Sequence, residues 1–444
     1  MRKKVAVVTV VLVGLFVGCA HAPKQPHAQP QFAIARTQTN AQALPPRQME
    51  KLGRGVVAIK QAPGKVFVSW RMLGTDPEGI AFNIYRELNG NTVKLNSVPI
   101  TDSTNWVDET AKIGLKYQHG WQDSWTWGGD ETPEDREEYH YFVRSVVNGV
   151  ESADSKAAAM KVNAKSLPYL SIPLQTPAGY APNNAAVADL DGDGEYEIVV
   201  KQMMKSFDPS QKGVCPGTTK LEAYKLDGTF MWRIDLGPNI REGAHYSPFI
   251  VYDLDGDGRA EIAVRTSEGT VDGTGIKIGD INGDGKTNYV DNKTGFISEG
   301  PEFLSIFDGK TGKELARTDY IARGKVADWG DKPGKQVNRV DRFLMGVGYF
   351  DGERPSLLIC RGYYELTKLE AWNWRDGKLS NVWKFSSSDA RNKGYAKQGN
   401  HSLSIGDVNG DGKDEITYGA CCIGPDGKGI YTTGLGHGDA LHLT

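Results

Sequence analysis

Cysteine is scarce, with five in 444 residues, too few for disulfides to hold a fold of this length together. Neither sign of charge dominates. Lysine and arginine number 52 against 55 aspartates and glutamates, a formal net charge of −3, so no basic field points to nucleic acid. Long apolar runs are few. No Cys-His-Asp or Ser-His-Asp pattern stands out, which leaves a hydrolase triad unsupported. Glycine is plentiful at 53 residues, alongside 10 Trp, 18 Tyr and 14 Phe. That mixture favours many short strands joined by tight turns. Apolar residues at 39% and charged residues at 24% exclude wholesale disorder. The length suits two or three domains, or one domain and a repeat array.

The one sustained apolar run is at the amino terminus. Arg2, Lys3 and Lys4 precede residues 5–18, an apolar stretch of signal-peptide length and shorter than a membrane span. Gly18-Cys19 closes it, as a small residue before cysteine does at a bacterial lipidation site. Cleavage after Ala22 is the alternative, and Pro23 is a poor first mature residue. Residues 1–22 are therefore expected to be a signal peptide of lipoprotein type, with Cys19 carrying the lipid. The protein is expected to be exported, as an outer-membrane or cell-surface lipoprotein or in secreted form. Membrane contact is expected only through the anchor, and the chain is expected to be monomeric. Residues 23–46, rich in Pro, Gln and Ala without periodicity, read as a disordered tether.

Residues 47–166 carry alternating strand patterns at Val66-Phe67-Val68-Ser69-Trp70, at Ala81-Phe82-Asn83-Ile84-Tyr85-Arg86 and from Tyr139 to Val147, closed by Asn148-Gly149. They predict a fibronectin-III-like β-sandwich. Trp121, Trp125 and Trp127 fall in an inserted loop, where they pack on the sandwich or stack on sugar rings.

Residues 167–444 repeat. The pattern D-x-D-G-D-G-x-x-E starts at Asp189 and at Asp253, and with Asn409 at its third position it starts again at Asp407. A weaker copy surrounds Asp351. Each loop feeds an apolar strand, and Asp-Gly turns recur at Asp227, Asp308 and Asp376, which suggests β-propeller blades with insertions. The acids fall at positions 1, 3, 5 and 9: Asp189, Asp191, Asp193 and Glu197; Asp253, Asp255, Asp257 and Glu261; Asp407, Asn409, Asp411 and Glu415. Position 7, held by Glu195, Arg259 and Lys413, offers a backbone carbonyl. This is the logic of the EF-hand loop, and hard oxygens without Cys or His predict several Ca2+ ions. A fourth loop, Asp280, Asn282, Asp284 and Lys286, has Asp291 at position 12. Three or four negative charges in each small loop should couple metal binding to folding. Export also permits a disulfide from Cys421 or Cys422 to Cys215 or Cys360.

Several further segments carry a resemblance: Arg47-Gln48-Met49-Glu50, Phe67-Val68-Ser69-Trp70-Arg71, Arg241-Glu242-Gly243-Ala244-His245-Tyr246, Asp328-Trp329-Gly330-Asp331, Asn338-Arg339-Val340-Asp341-Arg342-Phe343, Arg361-Gly362-Tyr363-Tyr364, Gln398-Gly399-Asn400-His401 and Gly434-Leu435-Gly436-His437-Gly438-Asp439. With them the chain resembles polysaccharide lyase family 11, the bacterial rhamnogalacturonan lyases. The resemblance implies an eight-bladed, calcium-loaded propeller behind a small sandwich, about half of it within these residues. It implies cleavage of the rhamnose-galacturonate backbone of pectin, rhamnogalacturonan I, by β-elimination. It adds His401, Asp426, Lys428 (by its carbonyl), His437, Asp439 and Asn184 as metal ligands, and Asn183 as a sugar contact. Where the family carries an acidic substrate contact, this chain reads Lys201-Gln202-Met203. Arg339, Arg342 and Arg361 are either uronate clamps or blade-to-blade ion pairs. The catalytic residues are unknown and are expected beyond Thr444, so the chain reads as a fragment of a longer product or an inactive homologue. The alternative function is a non-catalytic, calcium-stabilised propeller for polysaccharide binding or adhesion.

Overall fold

Period-2 alternation builds the first strands: in β2 (Lys65–Ser69) Val66 and Val68 are buried and Lys65 is exposed. The computed structural model describes residues 46–112, 137–332 and 337–443. The expected signal peptide with Cys19, the tether up to residue 45, and Trp121, Trp125 and Trp127 lie outside them. β1 (Val57–Ala62), β2 and β5 (Asn105–Asp108) form one antiparallel sheet. β4 (Asn91–Lys94), β3 (Ala81–Leu88), β6 (Glu138–Val147) and β7 (Val150–Glu151) form a second, with β8 (Ala158–Lys161) also on β6. The sheets share one core that includes Val66, Val68, Phe82, Ile84, Tyr141 and Val143. Asn148 and Gly149 both take positive φ, 52° and 79°, as a tight β6–β7 hairpin turn requires.

Four four-stranded antiparallel meanders follow, each in chain order. The first is β9 (Ala181–Ala188), β10 (Glu197–Met203), β11 (Lys220–Tyr224) and β12 (Phe230–Asp235). The second is β13 (Phe249–Tyr252), β14 (Glu261–Ser267), β15 (Glu302–Asp308) and β16 (Glu314–Asp319). The third is β17 (Phe343–Gly348), β18 (Ser356–Arg361), β19 (Lys368–Arg375) and β20 (Lys378–Ser386), and the fourth β21 (Ser404–Gly406), β22 (Glu415–Thr417), β23 (Cys421–Ile423) and β24 (Gly429–Thr432). The acidic loops beginning at Asp189, Asp253 and Asp407 all join first to second strands, as does the weak copy at Asp351. The loop at Asp280 instead lies in the long β14–β15 connection.

The second strands are buried on both faces, β14 and β18 along their whole length, because consecutive sheets pack face to face. Val199, Leu221 and Ile234 of the first sheet meet Ile262, Val264 and Phe307 of the second. Leu304 and Ile306 meet Leu357, Ile359 and Trp372 of the third. Leu358, Leu369 and Phe385 meet Ile416 and Ile423 of the fourth. The first strands β9, β13, β17 and β21 are neighbours in that order. A repeated latch locks two of these interfaces. Trp232 Nε1 donates to Gly309 O at 2.7 Å, in the β15–β16 turn of the next sheet, and Trp383 Nε1 donates to Pro425 O at 2.8 Å, in the β23–β24 turn.

Residues 47–55 run across the loop edge of all four meanders. Arg47 pairs with Asp414 at 2.8 Å and Gln48 N donates to Glu353 O at 2.7 Å. The Gln48 side chain fills the space beside Gly256, and Gly53 N donates to Gly194 O at 2.6 Å. Cys215, Cys360, Cys421 and Cys422 are free thiols, so the permitted disulfide does not form. No helix among the described residues is long and apolar enough to cross a membrane.

The second and third sheets are also joined by a buried ion cluster. Glu302 contacts Arg265 at 2.7 Å, Arg361 at 2.7 Å and Arg323 at 3.0 Å. Burial works to raise the Glu302 carboxyl, but Arg361, Arg323 and Arg265 overcome it and hold it well below the usual carboxylate range. Glu302→Gln strands three buried cations and is expected to cost about 3 kcal/mol or more, read as a lower urea midpoint at unchanged slope. A midpoint equal to wild type would show that the cluster carries no net stability.

Candidate functional site

Each acidic loop is wound by its first aspartate. Asp189 Oδ1 accepts Gly192 N at 2.7 Å and Asp193 N at 3.1 Å, and its Oδ2 accepts Gly194 N at 2.7 Å. Asp253 accepts Gly256 N at 2.7 Å and Gly258 N at 3.0 Å. Asp407 and Asp280 repeat the wrap on Gly410 and Gly412, and on Gly283 and Gly285. These amides converge only because the glycines take left-handed backbone, such as Gly192 at φ 82° and Gly258 at φ 95°. The closing glutamate then accepts the amide at position 2: Glu197 from Leu190, Glu261 from Leu254 and Glu415 from Val408, each at 2.9 Å.

The wrap leaves other carboxylate oxygens facing one another. Asp189, Asp191 and Glu197 bring ligand atoms within 4.8 Å of one another, and so do Asp253, Asp255 and Glu261. Burial, and then neighbouring carboxylates, push up Asp189, Asp253, Asp255 and Glu415. Burial takes Glu261 furthest, with Asp255 and Asp253 adding to it, to about 8. Glu50 of the segment crossing this edge is raised by burial and then by Asp253 and Asp189. Such sets of hard oxygens could hold a metal ion.

Not every ladder residue joins these clusters. The fifth-position acids accept the amide two residues on, Asp193 from Glu195, Asp257 from Arg259 and Asp411 from Lys413, and Asp193 and Asp257 also pair with Lys156 and Arg259. The Glu195 side chain turns outward to Gly55 N at 3.3 Å and Arg71 at 3.8 Å. Asn409 spans its loop, donating to Glu415 at 2.9 Å and Asp411 at 3.3 Å. Asp426 and Lys428 pair with each other at 2.7 Å in an exposed turn.

Asp291 does not close the fourth loop. Its Oδ1 accepts Lys293 N and Thr294 N at 2.8 Å, capping its own turn. The acid that meets this loop is Glu268, at the end of β14, which accepts Ile281 N at 2.6 Å and Asn282 N at 3.2 Å and binds the Tyr289 hydroxyl at 2.9 Å. It makes the position-2 contact from upstream, where a pattern read forward from Asp280 does not look.

A second cluster lies at the other ends of the strands. His245 and His401 precede β13 and β21, whose far ends carry acidic loops, and Tyr363 and Tyr364 follow β18. His401 Nε2 and His437 Nε2 are 3.1 Å apart. His437 Nδ1 donates to Gly399 O at 2.6 Å, which leaves its Nε2 lone pair free in the neutral ring. Asp439 lies 3.8 Å from His401, and ligand atoms of His401, His437 and Asp439 also fall within 4.8 Å of one another. The Tyr363 ring stacks on His437 at 5.6 Å between centroids, and the Tyr364 ring lies 4.4 Å from it. His245 stands edge-on to His401 at 5.7 Å and meets the Tyr363 hydroxyl at 3.4 Å. Burial, then Arg342, drives His245 down to about 4; burial, then His437, lowers His401. The His245 ring is therefore neutral at neutral pH.

Three of the chain's eight histidines meet here. That scarcity was the available signal for His245, which no spacing rule selects. Asn183 and Asn184 lie exposed on β9, and among the described residues no side-chain hydrogen bond joins them to the imidazoles. Lys201 is fully buried, its ammonium 3.4 Å from Ser247 O, and burial lowers it to about 8. The arginines are engaged: Arg361 in the Glu302 cluster, Arg342 on Asp208 at 3.0 Å and Asn338 at 2.6 Å, and Arg339 on Glu365 at 3.2 Å.

Residues 169–444 match the family described as Rhamnogalacturonan lyase family 11, C-terminal domain, and residues 47–120 match Rhamnogalacturonan I lyases beta-sheet domain. Over 408 residues the chain is 48% identical to a Bacillus subtilis protein named rhamnogalacturonan endolyase YesW, covering 89% of this chain and 59% of that protein. A second protein of that organism, named rhamnogalacturonan exolyase YesX, is 47% identical over 409 residues, covering 89% and 60%. The crystal structure of rhamnogalacturonan lyase YesW superposes with a TM-score of 0.76 at 48% identity, over 90% of this chain and 63% of that one. The chain spans about three-fifths of the length of the curated relatives it matches.

Without a cation, the proton takes its place in the second loop. Glu261 ionises near 4.5 in an unfolded chain and near 8 in the fold. Its contribution is therefore fully present below about 4.5 and lost as pH rises through about 8. In a chelator, the wild-type thermal midpoint is expected to fall across that window more steeply than that of Glu261→Gln. A divalent cation should remove the difference. Parallel pH profiles for the two proteins in chelator would contradict it.

Proposed function

Because the chain belongs to rhamnogalacturonan lyase family 11, we propose that it serves cleavage of the rhamnose-galacturonate backbone of rhamnogalacturonan I by β-elimination. The observation that carries this reading locally is the meeting of His401, His437 and Asp439 under Tyr363 and Tyr364, at the strand ends opposite the ladders. We read the four meanders as blades of a β-propeller and the preceding sheets as a fibronectin-III-like domain. Support comes from the adjacency of the four first strands and from one apolar core per sheet interface. Residues 1–22 are proposed as an export signal with Cys19 lipidated, residues 23–46 as the tether, and the exported chain as a monomer.

The ladder loops fit calcium. Their donors are hard carboxylate oxygens, with no Cys or His among them. His401, His437 and Asp439 would hold a further ion at the opposite edge, with Asn184 as an added ligand and Asn183 as a sugar contact. A cation bound there supplies Lewis-acid neutralisation of the uronate carboxylate, which makes the C5 proton more acidic. The chain's own part is positional. Gly399 O fixes the tautomer of His437, so its Nε2 faces His401. The partly exposed Tyr364 gives a sugar ring a contact beside the imidazoles, while the fully buried Tyr363 backs the His437 ring. His245, driven down to about 4 by burial and Arg342, stands neutral beside the Tyr363 hydroxyl at 3.4 Å. Lys201 is fully buried. Neither is assigned as the base.

Titration of rhamnogalacturonan I oligosaccharides into the calcium-loaded protein is expected to show binding that chelator abolishes and that His437→Ala weakens at least about tenfold. Mixed with rhamnogalacturonan I, the calcium-loaded protein should also produce the ultraviolet absorbance of an unsaturated uronate. Absence of both binding and absorbance would overturn the assignment.

A further inference from the structure

The ladders share a sequence but not an electrostatic setting. In the first sheet Ile198 pairs with Tyr224, so Lys225 lies across from the closing acid, Glu197. In the second, the residue across from Glu261 is Asp308. In the fourth, Ile416 pairs with Ile423, which puts Gly424 beside Glu415. Of these three cross-strand positions, only the first holds a cation. The Lys225 ammonium reaches into that loop, 2.6 Å from Asp191, 3.5 Å from Asp193 and 3.6 Å from Glu197. Around the second loop, Arg259 is taken by Asp257 at 2.8 Å and Arg375 donates to Leu254 O, and no ion pair reaches Asp253, Asp255 or Glu261 among the described residues.

We propose that Lys225 is a built-in counter-ion of the first acidic loop. It holds that loop closed without metal and competes with a divalent ion for the same carboxylates, whereas the second loop has no such ion pair to hold it when metal is absent. The competition half rests on the reading of the ladders as calcium loops. An ammonium is a point charge on a flexible stem. It can neutralise several oxygens and withdraw when a divalent ion brings twice the charge.

Amide hydrogen exchange at Gly192 and Gly194, against Gly256 and Gly258, tests this in the whole protein, first in chelator and then across a calcium titration. In chelator the first loop of the wild type is expected to exchange about fivefold more slowly than the second. Lys225→Met should remove that advantage, and Lys225→Arg, which keeps the charge, should retain most of it. On calcium titration, Lys225→Met should protect the first loop at about fivefold lower calcium than the wild type. Equal exchange of the first loop in wild type and Lys225→Met in chelator would overturn the counter-ion. An unchanged calcium midpoint would overturn the competition. If calcium protects neither loop in either protein, the calcium reading fails and the competition with it, while the chelator comparison still decides the counter-ion.

Discussion

Like charge concentrated at strand-joining turns is the constraint on which the rest of this molecule depends. Three carboxylates within 4.8 Å, largely out of water, repel one another strongly. The turn exists because one of them is held by its own backbone. The first aspartate collects amides from positions 4 to 6, and the ninth-position glutamate collects the amide at position 2. Those bonds need left-handed backbone at two positions, which is why glycine recurs there. The register of the following strand then follows, since the glutamate that closes the loop is also the first residue of β10, β14 or β22.

The two ends of the meanders do different work. At one end, residues 47–55 lace the turns of the fourth, third, second and first sheets in sequence, so this short stretch ties together elements hundreds of residues away. At the other end the polar groups belong to histidine and tyrosine. His245, His401, His437 and Tyr364 are partly exposed, whereas Tyr363, which stacks on His437, is fully buried. Separating them from the ladders lets the turn edge be made rigid without fixing the geometry at the imidazole edge.

Much of this was legible in the chain because the signals are local. Period-2 alternation marked β2, β3 and β6, Asn148-Gly149 marked a hairpin, and the ladders marked where first strands hand over to second strands. Contacts made at a distance were not legible. Glu268 reaches its loop from upstream, so a pattern read forward chose Asp291, which caps its own turn. His245 joins His401 only through the packing of the second and fourth sheets against the third. Arg361, a candidate clamp for a uronate, is inside the protein because β18 is covered on both faces and Glu302 is there to receive it. Spacing rules see neighbours in sequence, and these residues are neighbours only once the sheets stack.

Glu302 and Glu261 show how the same side chain, equally out of water, is used in two ways. Glu302 stands among Arg265, Arg323 and Arg361, and the carboxylate is held ionised against its burial. Glu261 stands among Asp253 and Asp255, and burial with their charges drives it up to about 8. Burial alone would raise both, so the sign of the neighbours decides. The Glu302 cluster carries its own cations and joins two sheets without outside help. In the second ladder no ion pair reaches Asp253, Asp255 or Glu261 among the described residues, Arg259 being held by Asp257. The first ladder lies between these cases, because a lysine stands across from its glutamate where the second sheet has an aspartate. One cross-strand position thus sets how far each turn depends on what the solution supplies.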